Sequence, residues 1–184
     1  GLIHKGNPEL IPEKVQSVEM AYEHPHSKSF AWSISIFQNR YENMIDFVYD
    51  IPVLAINREG ITGTGFEFQF KWRPVENFAI TSTFAYLDMK DRSGSPILYR
   101  SKNRSQLFFK YQHNLINIQV GIQAWSKQLY EDFLDDNHFG FPIRELPERV
   151  ITEISLSKEM KAFTTSIRCS NLFDTQYELI QDFP

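Results

Sequence analysis

Three groups of residues have types and spacings that could do chemistry. Asp135, Asp136, Asn137 and His138 come just after Glu131 and Asp132; such a set can hold a cation, or pair Asp with His to activate water. A solvated acidic loop tip has the same composition and is the plainer reading. His24 and His26 flank Pro25. At i and i+2 they can share a metal, but no third ligand is in view, and a turn accounts for all three residues. Cys169 stands alone without a disulfide partner, and its place beside Ile167 reads as a small hydrophobe, not a nucleophile. Nearby positions supply no Ser, His and Asp set. The chain is therefore read as a non-enzyme that calls for no metal or cofactor.

The third group is spread over the segments between apolar runs: Arg40, Tyr41, Tyr49, Arg92, Tyr99, Arg100, Tyr130, Phe139 and Arg144, with Lys127 and Phe141. Cationic groups interleaved with rings suit an anionic, ring-bearing small molecule such as a metal chelate. Packing within the loops competes as an explanation. Gly60, Gly63 and Gly65 are not a phosphate cradle, because they sit within a strand and no helix follows them; a bulge or a close approach to a plug is expected.

What must position these residues is a set of long strands. Phe66, Phe68, Phe70 and Trp72 alternate with Glu67, Gln69 and Lys71. A strand puts the four rings on one face, whereas a helix scatters them around its circumference. Ile116, Ile118, Val120, Ile122 and Ala124 alternate with Asn117, Gln119, Gly121 and Gln123 in the same way. So do 30–36, 150–156 and 163–169; weaker runs at 14–23, 78–89 and 101–112 bring the total to about eight strands of ten or more residues. Connectors near 24–28, 74–77, 113–115 and 158–161 are short, and those near 50–56, 90–99 and 131–147 are longer. Strict alternation of short and long is the pattern of an up-and-down meander with tight turns at one rim, unlike a Greek-key sandwich.

These strands exceed the usual ~5–6 residues of soluble sheets. At ~3.3 Å per residue and a ~40° tilt, the run 116–124 rises ~20 Å, close to the ~25 Å apolar band of a membrane barrel. Tyr22, Phe30, Trp72, Phe78, Tyr111 and Phe163 fall beside the short turns, and Phe84, Tyr86 and Tyr130 toward the long loops. Ile34, Ile80, Leu107 and Val120 fill the middle. Two aromatic girdles around an aliphatic waist suit a lipid-facing wall. Glu19, Glu67, Gln69, Lys71, Thr81, Thr83, Lys110, Asn117, Gln119, Gln123, Glu153 and Arg168 share the other face, a wet lumen or a surface against a polar plug. A soluble lipocalin-like module and a self-contained eight-stranded barrel, adhesin or enzyme, remain open alternatives at this point.

Composition narrows the classes further. The 184 residues carry 19 Lys and Arg against 23 Asp and Glu, a net charge of −4, which removes the basic surplus of a general nucleic-acid binder. Hydrophobic residues at 42% exclude a simply disordered chain. No apolar run reaches the ~18 residues of a membrane helix, a test to which barrel strands are invisible.

Three motifs resemble one family, the TonB-dependent outer-membrane receptors. The stretch from Asn7 to Lys14, with Pro8, Leu10, Pro12 and Glu13, resembles the family's "NP-x-L-x-PE" lead into a mid-barrel strand, and Glu19 stands in its "E-x-G" strand with Ala21 where Gly is usual. Asn57, Gly60, Gly65 and Glu67 resemble the "N-x-G … G-x-E" strand, closed by Pro74. Asn171, Leu172, Phe173, Asp174 and Tyr177 resemble "NLFD-x-x-Y" before the last strand. The resemblance implies an all-β, antiparallel up-and-down transmembrane barrel segment of about eight strands within a barrel of about 22. Residues 1–184 would be the C-terminal part of that barrel, with the plug, the TonB box and the final strand absent. It also implies the outer membrane of a Gram-negative-type bacterium, uptake of a scarce ligand (a siderophore, haem or cobalamin), and three partners: outer-membrane lipid, the small molecule, and the TonB complex through the missing N-terminal part.

Overall fold

The computed structural model describes residues 4–24, 27, 29–48, 53–132 and 142–178. Among these residues there is no helix. The first half holds β1 (His4–Lys5), β2 (Lys14–His24), β3 (Phe30–Glu42), β4 (Met44–Val48), β5 (Val53–Arg58), β6 (Ile61–Val75) and β7 (Phe78–Lys90). The second half holds β8 (Asn103–Gln112), β9 (Asn117–Trp125), β10 (Gln128–Glu131), β11 (Ile143–Leu146), β12 (Arg149–Met160) and β13 (Phe163–Cys169). Eight of them form one antiparallel sheet in the order β2-β3-β6-β7-β8-β9-β12-β13. Setting aside the short hairpins β4–β5 and β10–β11, and β1, which pairs in parallel with β5, every sheet neighbour is also a sequence neighbour. That is the meander expected from the alternating connectors, and it excludes the two stacked sheets of a sandwich. The sheet is open: β2 and β13 form its edges and do not pair with each other.

Register fixes the two faces. Tyr22, Ile34, Phe68 and Phe84 are successive direct partners across β2, β3, β6 and β7. Phe109, Val120, Ile154 and Cys169 continue the same face across β8 to β13. Ser33, Gln69, Thr83, Gln106 and Gln123 share the opposite face. Rings cluster at both ends of the apolar face: Tyr22 and Trp32 lie 5.4 Å apart near the short turns, and Phe66 lies 5.7 Å from Phe84 and 5.8 Å from Tyr86 toward the long loops. His24 ends β2 within the first cluster, its Nδ1 3.2 Å from the Tyr22 hydroxyl. Exposed surface totals 13343 Å², against about 9,200 Å² for a globular monomer of this mass. An apolar face left bare contributes to the excess: Val18, Met20, Ile36 and Ile167 all lie open on it.

Three expectations need correction. Segments 50–56 and 131–147 are not plain loops, because β5 begins inside the first and β11 lies inside the second, and each pairs back in a hairpin, β5 with β4 and β11 with β10. Tyr130 does not join a girdle; it is buried in β10 at the rim. Nor do the glycines make a bulge. The register from Ile61 to Trp72 is continuous, and the shift falls between Trp72 and Val75, where Pro74 has no N–H to give the ladder. What the glycines provide is space. Gly65 and Gly121 sit directly opposite Phe37 and Phe108, and a Cβ on either would come within 2.7 Å or 2.8 Å of the facing ring.

Candidate functional site in the long-loop rim

The rim that holds the long connectors has its own small core. Ile61, 1% exposed, packs with Met44, Met89 and Ile97, and Tyr41 and Leu87 close over them. Ile61, Tyr41 and Met89 belong to the inward face, so this core fastens hairpin β4–β5 and the segment after β7 over the lumen side. Asn57 locks the hairpin in place. Its Nδ2 donates to the carbonyls of Ile11 (2.9 Å) and Asn43 (2.8 Å), and its Oδ1 accepts from the Ile11 amide (2.9 Å). Asn7 adds a bond to the Ala55 carbonyl at 2.8 Å. On the other side Tyr99, at φ 60, donates its amide to the Leu129 carbonyl at 2.7 Å, tying residues 97–100 to β10. A left-handed Tyr is an uncommon conformation that persists here because neighbours hold it on both sides.

Between these supports lies a cavity of about 480 Å³ lined by Glu13, Tyr41, Met44, Ile45, Asp46, Phe47, Arg58, Ile97, Leu98, Tyr99, Arg100 and Glu131. A second, of about 470 Å³, shares Ile97 and Arg100 and adds Leu87, Met89, Lys102, Lys127, Glu145 and Glu148. Both have the size of small-molecule sites. The Asp46 carboxylate meets the Arg58 guanidinium at 3.0 Å, and Lys127 meets Glu145 at 3.1 Å. The hydrogen bond to Glu145, with charge attraction behind it, holds the Lys127 ammonium above its ordinary pKa. Among the described residues Arg100 has no such partner, and it borders both cavities.

The sequence-predicted residues divide clearly. Tyr41, Tyr99 and Arg100 come together in the first cavity, and Lys127 lines the second. Arg40 does not join them: β3 alternation sends it to the outward face, opposite Gln16 and Thr62. Arg92 stands at an exposed tip, 3.4 Å from Glu59. Arg144 is turned to Asp132 at 2.8 Å and serves the β10–β11 hairpin, as buried Tyr130 does. Tyr49, Phe139 and Phe141 lie outside the described residues, as do Pro25, His26 and the run 135–138. Sequence reasoning missed Asp46 and Phe47, which reach the cavity because β4–β5 folds back over the sheet, and Glu13, just before β2, whose carboxylate accepts from the Ile45 amide of that hairpin. Arg58, next to the Asn57 motif, carried the one usable signal. Among the described residues, no group of three or more His, Cys, Asp or Glu is placed to hold a metal ion.

The comparisons decide the family. The profile of "TonB dependent receptor-like, beta-barrel" matches residues 2–165. This chain belongs to the TonB-dependent receptor β-barrel family. Among curated proteins no sequence match is found. Among solved structures, the pyoverdine outer membrane receptor FpvA from Pseudomonas aeruginosa PAO1 superposes with a TM-score of 0.76 at 13% identity, over 98% of this chain and 28% of that one. The siderophore receptor PirA from Acinetobacter baumannii gives 0.76 at 16% identity, over 96% and 31%. The copper transporter OprC gives 0.73 at 13% identity, over 92% and 26%. At these identities the likeness establishes the fold, and the chain spans between a quarter and a third of each receptor it matches.

The family's motif segments then have visible structural jobs in this TonB-dependent receptor chain. Asn7 and Asn57 stitch the segment before β2 to hairpin β4–β5. After β13, Asn171 exchanges two hydrogen bonds with the Thr175 backbone, at 2.9 Å and 3.1 Å. Leu172 donates its amide to the Thr152 carbonyl at 2.8 Å, which keeps this segment against β12.

Proposed function

We propose that this chain forms a run of consecutive strands in the C-terminal part of an outer-membrane receptor barrel that takes up a scarce small molecule by TonB-dependent transport. The observation that carries the reading is one sheet with two unlike faces under a roofed rim. A girdled apolar face suits lipid, a polar face suits a wet or plugged lumen, and the long loops hold two cavities of ligand size. Charges in the two cavities are mixed and partly neutralise each other, so the anion preference rests on Arg100. Siderophores, haem and cobalamin are the ligand classes to test, in a Gram-negative-type host with the TonB complex acting through parts outside this chain. Disrupting the reading frame and following uptake of labelled ferric siderophores, haem and cobalamin under starvation is the direct experiment. Loss of uptake for one class, mimicked by a protonophore in the parent strain, is the expected result. Unchanged uptake across all three classes would refute the reading.

A further inference from the structure

The inward face carries one cluster that the transport reading leaves unused. Arg104, Trp125 and Arg149 are direct partners across β8, β9 and β12, so they stand in one row next to the long-loop rim. The Arg104 guanidinium lies 5.5 Å from the Trp125 ring centre and that of Arg149 4.8 Å. Tyr177, from the segment after β13, takes a further ring contact with Arg149 at 5.8 Å. Arg149 is 8% exposed, and its Nε and Nη1 have no hydrogen-bond partner among the described residues. Rings offset part of a cation's charge, but they do not replace the strong acceptor that a buried guanidinium N–H requires. Glu153, further down the same face of β12, is already taken by Arg168. Among the described residues, two positive charges thus share one indole and neither is ion-paired to a carboxylate.

We propose that this row is a binding position for the carboxylate of a small molecule that enters from the long-loop rim; the direction of entry rests on the transport reading above. Arg104, exposed, offers the first contact. Arg149, packed against Trp125 and Tyr177, keeps its Nε and Nη1 enclosed and without an acceptor; the two lie on different edges of the guanidinium, so a carboxylate reaching the row beside Arg104 takes a charge-assisted bond from one of them. Arg100, which borders both rim cavities, adds a further positive charge at that end of the lumen, whereas Lys102 is paired with Asp88 at 2.7 Å.

The test is a calorimetric titration of the whole receptor in micelles with succinate, with uncharged succinamide as control. Saturable binding of succinate and none of succinamide is expected. Arg104→Gln, at an exposed position that leaves folding intact, should weaken binding about tenfold or more, and Arg149→Gln should do the same where it folds. Arg40→Gln, on the opposite face, should change nothing. Absence of succinate binding, or equal binding by wild type and Arg104→Gln, would overturn the inference; a carboxylate of the receptor's own polypeptide occupying the row gives the first of these results. A receptor that takes up a chelate yet fails this titration loses this inference alone. One that binds succinate but transports nothing loses only the transport reading.

Discussion

Val120 offers the sharpest check on which face meets lipid. On the apolar face, successive rows run Tyr111–Ile118–Leu156, Phe109–Val120–Ile154, Leu107–Ile122–Thr152 and Ser105–Ala124–Val150. Each row is two residues above the last, or ~5 Å of height at ~3.3 Å per residue and ~40° tilt. Val120 therefore sits ~5 Å above the Tyr111 girdle row and ~10 Å below the row at Ser105, inside the apolar band. An arginine costs ~2–4 kcal/mol at the midplane and ~0–1 kcal/mol near an interface, so Val120→Arg should cost about 2–3 kcal/mol. That is about a 30- to 150-fold change in the folding equilibrium. Gln119→Arg, one residue away but directly opposite Lys110 and Ser155 on the polar face, should cost less than about 1 kcal/mol. Urea titration of the receptor in lipid vesicles, followed by fluorescence and by gel shift, measures both. Equal losses, or a larger loss at Gln119, would mean that the faces have been assigned the wrong way round.

Gly121→Ala should destabilise the barrel by about 1–3 kcal/mol, since the new Cβ would lie 2.8 Å from Phe108 Cε1 and 2.9 Å from Glu153 Cγ. In a Phe108→Ala background the cost should fall but not vanish, because the Glu153 contact remains; a double-mutant cycle would read the share due to the ring. Asn57→Ala removes three hydrogen bonds to Ile11 and Asn43 and should loosen hairpin β4–β5 by about 1–3 kcal/mol. The expected sign is faster amide exchange and protease nicking in 43–58, with the barrel's own unfolding midpoint unchanged. Asp91 is held below its ordinary carboxylate pKa of 3.8, first by the Ser93 hydroxyl and then by the Ser95 and Ser93 amides. A depressed folded-state pKa stabilises the loop above the unfolded value and is lost as pH falls through the folded value. Protection of the Ser93 and Ser95 amides should therefore stay level down to the ordinary carboxylate range and drop only below it, and Asp91→Asn should abolish that dependence.

The sheet was legible because period-2 alternation over long runs has one cheap solution. Phe66 to Trp72 can bury or expose its rings together only as a strand, and 163–169 was read to its observed bounds for the same reason. The hairpins were less legible. Met44–Val48 and Ile143–Leu146 are too short to show a period, and what makes them strands is pairing with β5 and β10, a long-range fact. The candidate site divides along the same line. Residue types marked Tyr41, Tyr99 and Arg100, but Arg40 looked equivalent to Tyr41 until strand alternation sent the two to opposite faces.

By itself the sequence determined the long strands of the main sheet, its two unlike faces and the family, because each is written in local alternation or in motifs of a few residues. Tertiary structure alone decided which ring and which cation meet. Phe37 over Gly65, Asn57 across to Ile11, and Arg104 and Arg149 on one Trp125 join residues 21 to 46 positions apart in the chain. Register and loop folding set such encounters, and neither leaves a mark on the residues that take part in them.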